Sequence, residues 1–302
     1  MSAQTREGSK IIQRVAIVGA GEMGSNIATV CALAQYPVAV SDVSREILDR
    51  SLQRVRRNLN VLAEAEEITK AEADAAMARV RPAADVRDAV ADADLIFEAV
   101  PEKLELKQEV FLTVEAYAGG DAILATNASG IPTTEIAARC RQPERVVGIH
   151  FFQPPFVLRT VEAIRGERTS AETFDTAVRF IESLGSIPIR VQKDRHSFVI
   201  NALQQALRKE AAALLEAGVA SKEDIDQAAI HCLGPKYATY GMLRSGDLTS
   251  PMSPLRRGEV TGASLSYDYS KYGVEEAFRR RDLALIELVK AAARIRATYP
   301  LD

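Results

Sequence analysis

The sequence predicts an α/β domain built on a mostly parallel sheet, followed by an all-α domain. Three observations carry this reading. Short β-branched runs alternate with longer amphipathic stretches through the first half, those runs are almost continuously apolar, and beyond Lys193 the apolar spacing becomes helical.

The first strand is expected at residues 14–18, then others at 38–41, 94–97 and 122–125. Between them Leu48, Leu52, Val55, Leu59 and Leu62 recur at three- and four-residue steps, which is helical spacing, and residues 68–80 continue in the same manner. Strands alternating with helices imply right-handed crossovers into a parallel sheet covered on both faces. The pattern then changes. Residues 146–151 and 159–164 read as two strands, with Gln153-Pro154-Pro155 between them forcing a turn, and 187–191 as a last strand. Beyond Lys193, Val199, Leu203, Leu207, Glu210 and Leu214 mark one long helix. Ser221 to Asp224 reads as a capping box opening another, and 275–297 is a third, with Phe278, Ile286, Val289 and Ile295 on its apolar side. Residues 249–266, rich in Ser, Pro and Gly, read as a long loop. The boundary is placed near Asp194, giving domains 11–193 and 194–302.

A chain of 302 residues suffices for two modest cores, and its formal net charge of −3 gives no bulk attraction to nucleic acid or an anionic membrane. No apolar run reaches the length of a membrane span, and Met1 to Lys10 reads as a short, polar, disordered lead-in without the apolar stretch of a signal peptide. Cys31, Cys140 and Cys232 lie far apart, without metal-ligand spacing. They are expected to be buried small hydrophobes in a cytoplasmic protein with no metal.

Gly19-Ala20-Gly21-Glu22-Met23-Gly24 follows the first strand directly and opens a helix. In that context a Gly-x-Gly-x-x-Gly run is a dinucleotide fingerprint, and the domain is expected to be of Rossmann type. Gly19 permits the tight turn, Gly21 lets the backbone approach a pyrophosphate, and Gly24 lets helix and strand pack closely. Asp42 ends the second strand about twenty residues on, where a carboxylate accepts ribose hydroxyls and repels a 2′-phosphate. NAD is therefore favoured over NADP, although Arg45 stands close enough to receive that phosphate, and a flavin is the other ligand of such a fingerprint. Glu22, Met23, Val100 and Asn127 are expected on the cofactor surface.

The chain has three histidines. His150 ends a strand, and Glu162 lies in the next strand beyond the Pro-Pro turn. If the two pair antiparallel, the carboxylate can fix the imidazole tautomer and leave the other nitrogen to take a proton. Alcohol oxidation needs such a base. Ser129, just after the fourth expected strand, can hydrogen-bond a substrate oxygen, or be a turn serine. Asn201, at the start of the first helix of the second domain, can be a second donor or a capping residue.

At this point the sequence resembles the 3-hydroxyacyl-CoA dehydrogenase family over almost its whole length. The carrying segments are VAIVGAGEMGSNIA, FEAVPEKLELKQEVF, NASGIP, GIHFFQPPFVLRTVEAI, FVINAL and ASKEDIDQA. The resemblance implies an NAD domain, a helical dimerisation domain and catalysis at their cleft. It implies His150 as base, Glu162 as its partner, and Ser129 and Asn201 as ligands of the substrate oxygen. It also places Glu102 and Lys107 near the cofactor, a pair that the residues alone present as an exposed helix pair. Family members often have Asn where this chain has Gln153 and Arg where it has Ala202. Many have Gly and Lys in the helical arm where this chain reads Ala65-Glu66-Glu67, which makes CoA less comfortable despite Arg54, Arg56 and Arg57 nearby. Residues 233–238, Gly241 to Leu243, Asp247-Leu248 and 279–282 look like the branch holding lambda-crystallin and L-gulonate 3-dehydrogenase, which with L-carnitine dehydrogenase implies small free 3-hydroxy acids. A free carboxylate needs a cation, for which Lys236, Arg159 and Arg244 are candidates, and Gln153 is expected to touch substrate.

The expected function is thus an NAD-dependent oxidoreductase interconverting an L-3-hydroxy acid, or its thioester, and the 3-oxo compound. Alternatives are a 3-hydroxyacyl-CoA or acyl-carrier-protein dehydrogenase, and a catalytically silent NAD-binding structural protein. The expected partners are a small molecule and a second copy in a homodimer, with no nucleic acid or membrane.

Overall fold

The computed structural model describes residues 11–250, 252–262 and 264–299, so the expected lead-in at Met1 to Lys10 lies outside the described residues. The chain divides into two compact units, one reaching Gln205 and the other starting at Ala206.

The first unit runs β1 (Val15–Val18), α1 (Glu22–Leu33), β2 (Val38–Ser41), α2 (Arg45–Glu64), α3 (Lys70–Ala78) and β3 (Val80–Ala83). It continues with α4 (Val86–Val90), β4 (Leu95–Glu98), α5 (Leu104–Tyr117), β5 (Ile123–Thr126) and α6 (Thr133–Ala137). It then adds β6 (Val146–Phe151), β7 (Thr160–Ile164), α7 (Ala171–Ser183), β8 (Ile187–Val191) and the start of α8 (Ile200–Glu216). The eight strands form one sheet in the order β3-β2-β1-β4-β5-β6-β7-β8. β1 to β6 are parallel, and β7 runs antiparallel to β6 and parallel to β8. This is the expected Rossmann-type domain with a mostly parallel sheet.

Side chains alternate across the sheet as a pleated strand requires. In β1, Val15 and Ile17 join the core under α1, α2 and α7, while Ala16 and Val18 join the core under α4, α5 and α6. The stripe read from the sequence behaves as expected: Leu48, Val55, Leu59 and Leu62 of α2 are buried. Ser44 caps that helix by accepting the Ile47 N–H, and Thr69 with Glu72 forms a capping box on α3.

One element departs from expectation. Val80 is not the end of a helical stretch but the first residue of β3, whose sequence VRPA hides a strand behind a proline. Pro82 is tolerated because β3 is an edge strand. Cys31 and Cys140 are buried, and burial pushes the Cys140 thiol up to about 11. Cys232 is exposed, which corrects its assignment to a core.

The second unit is helical: the remainder of α8, α9 (Lys222–Ala228), a π turn (Ala229–Leu233), α10 (Gly234–Tyr240), α11 (Met242–Thr249) and α12 (Gly273–Thr298). The expected loop after Thr249 holds a short 3-10 turn at Pro254–Arg257. A small core gathers Tyr240, Leu248, Leu255, Tyr269 and Ala277. Beside it Asp247 is buried and accepts the Ser266 N–H and the Tyr269 hydroxyl. Among the described residues no helix is long and apolar enough to cross a membrane.

Candidate active site

β1 has β2 on one side and β4 on the other, so successive crossovers leave it in opposite directions. At such a reversal the carboxyl ends of the strands open a crevice, where ligands bind in this class of fold. A hollow of about 620 Å³ lies there. Most of the sequence-predicted site residues line it; Gly24, Glu162 and the three candidate substrate cations Lys236, Arg159 and Arg244 do not. Gly24 packs behind the turn, Glu162 stands behind His150, and Lys236 sits on α10 in the second unit.

The glycine turn is built as a backbone cradle. Gly19 has φ +104°, and a Cβ there would stand 2.7 Å from the Ala99 carbonyl carbon. A side chain on Gly24 would run into the Gly19 carbonyl oxygen. At Gly21 a Cβ would meet nothing, so the glycine leaves open space at the N-terminus of α1, whose cap makes no side-chain hydrogen bond. Bare N–H groups, the positive end of the helix and that space together fit a pyrophosphate. Asp42 is held at the end of β2 by the Ala20 N–H at 2.8 Å and the Ser44 N–H at 3.3 Å. Arg45 turns instead to Asp49 on its own helix at 3.1 Å. A carboxylate at the end of β2, with the neighbouring arginine engaged elsewhere, fits NAD better than a 2′-phosphorylated cofactor. Among the described residues no group of acids, histidines and cysteines is placed to hold a metal.

Glu102 and Lys107 are not an exposed helix pair. Lys107 is buried at the start of α5, 2.9 Å from Glu98 and 3.2 Å from Glu102, and also donates to the Val100 carbonyl. Glu98 in turn accepts the Thr126 hydroxyl at 2.7 Å. The other Glu102 oxygen accepts the backbone N–H groups of Ser129, Gly130 and Ile131 at 2.9, 2.8 and 3.3 Å. Partial burial pushes the Glu102 carboxyl up, but the Lys107 ammonium and the N–H groups of Gly130 and Ile131 outweigh it and hold it below the usual carboxylate range. The Ser129 turn is thereby clamped through its backbone.

His150 pairs with Glu162 across the β6–β7 ladder, and its Nδ1 lies 2.9 Å from Glu162 Oε2. Glu162 is wholly buried and His150 nearly so. A carboxylate can only accept, so Nδ1 carries the hydrogen and Nε2 is the nitrogen left for a ligand. The Phe152 ring meets the imidazole edge-on at 4.4 Å, and Phe198 lies 5.8 Å away. Glu162 Oε1 accepts the Val199 and Ile200 N–H groups at 3.0 and 2.8 Å, which fixes the start of α8. Just before it Ser197 and Phe198 adopt φ values of 66° and 46°, a left-handed backbone costing roughly 1–3 kcal/mol per residue. Asn201 donates to the Ser129 carbonyl at 3.1 Å, and the Ser197 N–H donates to Gly130. Asn127 accepts the Phe151 N–H, which leaves its amide N–H groups for other partners.

Sequence reasoning missed Glu98, Asn26, Phe152 and Phe198. A carboxylate ending an otherwise apolar run, as in Leu95-Ile96-Phe97-Glu98, was the available signal for the first. Of the expected substrate cations, Arg159 stands 4.0 Å from Glu67, and Arg244 lies over the Tyr267 ring. Lys236 is hydrogen-bonded to Cys232, which raises its pKa.

A family model described as "3-hydroxyacyl-CoA dehydrogenase, NAD binding domain" matches residues 14–195, and one described as "3-hydroxyacyl-CoA dehydrogenase, C-terminal domain" matches residues 198–297. The 5-formyl-3-hydroxy-2-methylpyridine 4-carboxylate 5-dehydrogenase of Mesorhizobium japonicum is 33% identical, covering 94% of this chain and 87% of that protein. A 3-hydroxybutyryl-CoA dehydrogenase of Mycobacterium tuberculosis is 35% identical, covering 84% of each. The crystal structure of M. tuberculosis FadB2 superposes with a TM-score of 0.72 at 35% identity, covering 82% of each chain.

Proposed function

This chain belongs to the 3-hydroxyacyl-CoA dehydrogenase family and is an NAD-dependent oxidoreductase acting on a CH–OH group, and on that premise we propose that it interconverts an L-3-hydroxy acid, or its thioester, and the 3-oxo compound, with His150 and Glu162 as the acid/base pair. The observation that carries the reading is the imidazole whose Nδ1 is held by a buried carboxylate while its ring lines the same hollow as the glycine turn. Bound NAD supplies the acceptor for the hydride leaving C3. His150 Nε2 takes the hydroxyl proton, and Glu162 stabilises the imidazolium so formed. Ser129 and Asn201 place donors where the oxygen gains charge. Glu102 and Lys107 hold the Ser129 turn against the cofactor side, and Asp42 receives the adenosine ribose.

Two observations favour a substrate without CoA. Glu66, at φ 58°, puts an acid in the arm that reads Ala65-Glu66-Glu67 here and carries glycine and lysine in many family members. Glu67, beside it, faces Arg159 and offers an acid where a nucleotide phosphate needs a base. The relatives divide on this point, one named for a pyridine carboxylate and one for a CoA thioester. We further propose the division into domains 11–193 and 194–302, a cytoplasmic protein, and a homodimer formed through the exposed apolar residues of α8 and α12. Oxidation of 3-hydroxybutyryl-CoA, 3-hydroxybutyrate, L-gulonate and L-carnitine, followed by NADH absorbance, tests the reading. Highest kcat/KM on a free acid is expected. Preference for the thioester would reassign the substrate, and no NADH from any of them would remove the proposed reaction.

A further inference from the structure

A chain of side-chain amides runs from α2 through α1 to Gln153 and Glu22, which line the hollow, and it has one direction. Thr29 Oγ1 donates to the Ser25 carbonyl, so it must accept from Asn58 Nδ2 at 3.2 Å. That fixes the Asn58 amide, which also donates to Asn26 Oδ1 at 2.7 Å. Asn26 therefore presents Nδ2 to Gln153 Oε1 at 3.0 Å, and Gln153 presents Nε2 to Glu22 Oε1 at 2.6 Å. Asn26 and Asn58 are each 3% exposed, so they give up solvent for this purpose and hold one orientation. Every N–H in the relay points the same way, and the last acceptor is a carboxylate.

Glu22 opens α1, yet this bond draws it toward the loop that follows His150. Three carboxylates line the hollow: Glu22, Asp42 and Glu102. Asp42 is engaged by two backbone N–H groups, and Glu102 by Lys107 and three more. Lys107, the one lysine or arginine of the lining, lies between Glu98 and Glu102. Glu22 forms no ion pair among the described residues. Asp42 also lacks an ion pair among the described residues but takes two backbone N–H groups, so Glu22, held by the Gln153 amide, is the least compensated carboxylate of the hollow that His150 also lines.

Resting on the reading of His150 as the base for a 3-hydroxy substrate, we propose that Glu22, oriented through Asn58, Asn26 and Gln153, is a specificity-determining carboxylate. It admits 3-hydroxy compounds that carry an ammonium or hydroxyl donor beside the reacting carbon and rejects those with a second anion there. A fixed carboxylate attracts a neighbouring ammonium and repels a neighbouring anion at short range, and that difference sorts substrates.

Three probes share one scaffold and differ beside C3: 4-amino-3-hydroxybutanoate, 3,4-dihydroxybutanoate and 3-hydroxyglutarate. The wild-type protein is expected to oxidise the amine and the diol with kcat/KM at least about tenfold above the diacid, tenfold corresponding to about 1.4 kcal/mol. Glu22→Gln keeps the length and the acceptor for Gln153 and removes the charge. It is expected to shrink the amine-to-diacid ratio at least about tenfold, with every probe measured at saturating NAD so that any change in cofactor affinity, read separately by NADH fluorescence titration, drops out of the ratio. Gln153→Asn, one methylene short of Glu22, is expected to lose part of the same ratio. An unchanged ratio in Glu22→Gln, a wild-type preference for the diacid, no turnover of any probe, or a change confined to NADH affinity would each overturn the proposal. His150-dependent oxidation of 3-hydroxybutyryl-CoA alongside an unchanged ratio would remove this inference and leave the proposed reaction standing.

Discussion

In the first unit α7 buries Phe174, Ala177, Val178, Phe180 and Ile181 against the sheet; in the second, α12 buries only Ala277 and leaves Leu283, Ile286, Val289 and Ile295 exposed. Both helices carry apolar residues at helical spacing, but α12 meets its own unit's core only along Val274, Ala277, Phe278 and Leu285, in its first half. α8 and α9 bury no side chain at all. The sheet unit therefore holds a complete core, and around it can hold buried polar groups such as Lys107, Glu98 and Glu162 in fixed positions, because each finds its partner. The helical unit presents apolar area that gains free energy only when something else covers it.

The largest test of that contrast falls on the chemistry. His150→Gln is expected to lower turnover by roughly two to four orders of magnitude, with NADH affinity near wild type. A glutamine can still bond Glu162, so the loss reads the missing base rather than a collapsed strand. Turnover within a few fold of wild type would move the base elsewhere, and with it the claim that the sheet unit carries the reaction.

Next comes stability. Phe111 is fully buried in the sheet unit, and Phe111→Ala is expected to cost about 3–5 kcal/mol in a denaturant melt. Ile286, 49% exposed on α12, should lose no more than about 0.5 kcal/mol on the change to Ala when measured at a concentration that keeps the chain monomeric. Equal costs at the two positions would mean that α12 is covered within the chain. The same face gives a third measurement. Ile286→Asp is expected to shift the particle from dimer to monomer mass in light scattering at about ten micromolar, with the helical circular dichroism retained, since one buried charge without a partner costs several kcal/mol. A dimer that persists would place the interface on another surface.

The parts that were legible in the sequence are those set by local spacing. The glycine turn, the α2 stripe and the His150–Glu162 pair follow from periodicity and from two strands folded back about Pro154 and Pro155. What stayed hidden depends on depth or on partners distant in sequence. Nothing near Lys107 says that it is buried, because Glu98 lies on a strand and Glu102 on the loop between. The strand β3 escaped because an edge strand needs no strong apolar run, with Arg81 and Pro82 both exposed. Asn26 and Asn58 each read as an ordinary helix-face amide; only the packing of α1 on α2 brings them together. An exposed thiol such as Cys232 looks like a buried one until its helix is placed.

The smallest effect sharpens the picture of the arm at the end of α2. Glu66 sits at φ 58°, where a side chain beyond glycine is strained, and its N–H closes the helix by donating to Ala63. Relief of that strain favours the folded state, and the extra freedom glycine gives the unfolded chain opposes it. For a left-handed residue after a helix the strain outweighs that freedom, at roughly 1–2 kcal/mol, so Glu66→Gly is expected to raise stability by about 0.5–1 kcal/mol. The charge removed is exposed and contributes little. A melting temperature that rises by a few degrees would show the strain to be real, while a fall would mean that the unfolded-state entropy of glycine dominates. The same variant lowers the acidity of the arm by one charge without touching Glu67. Any gain it shows toward 3-hydroxybutyryl-CoA therefore measures how far that acid, rather than the His150 hollow, turns the nucleotide away.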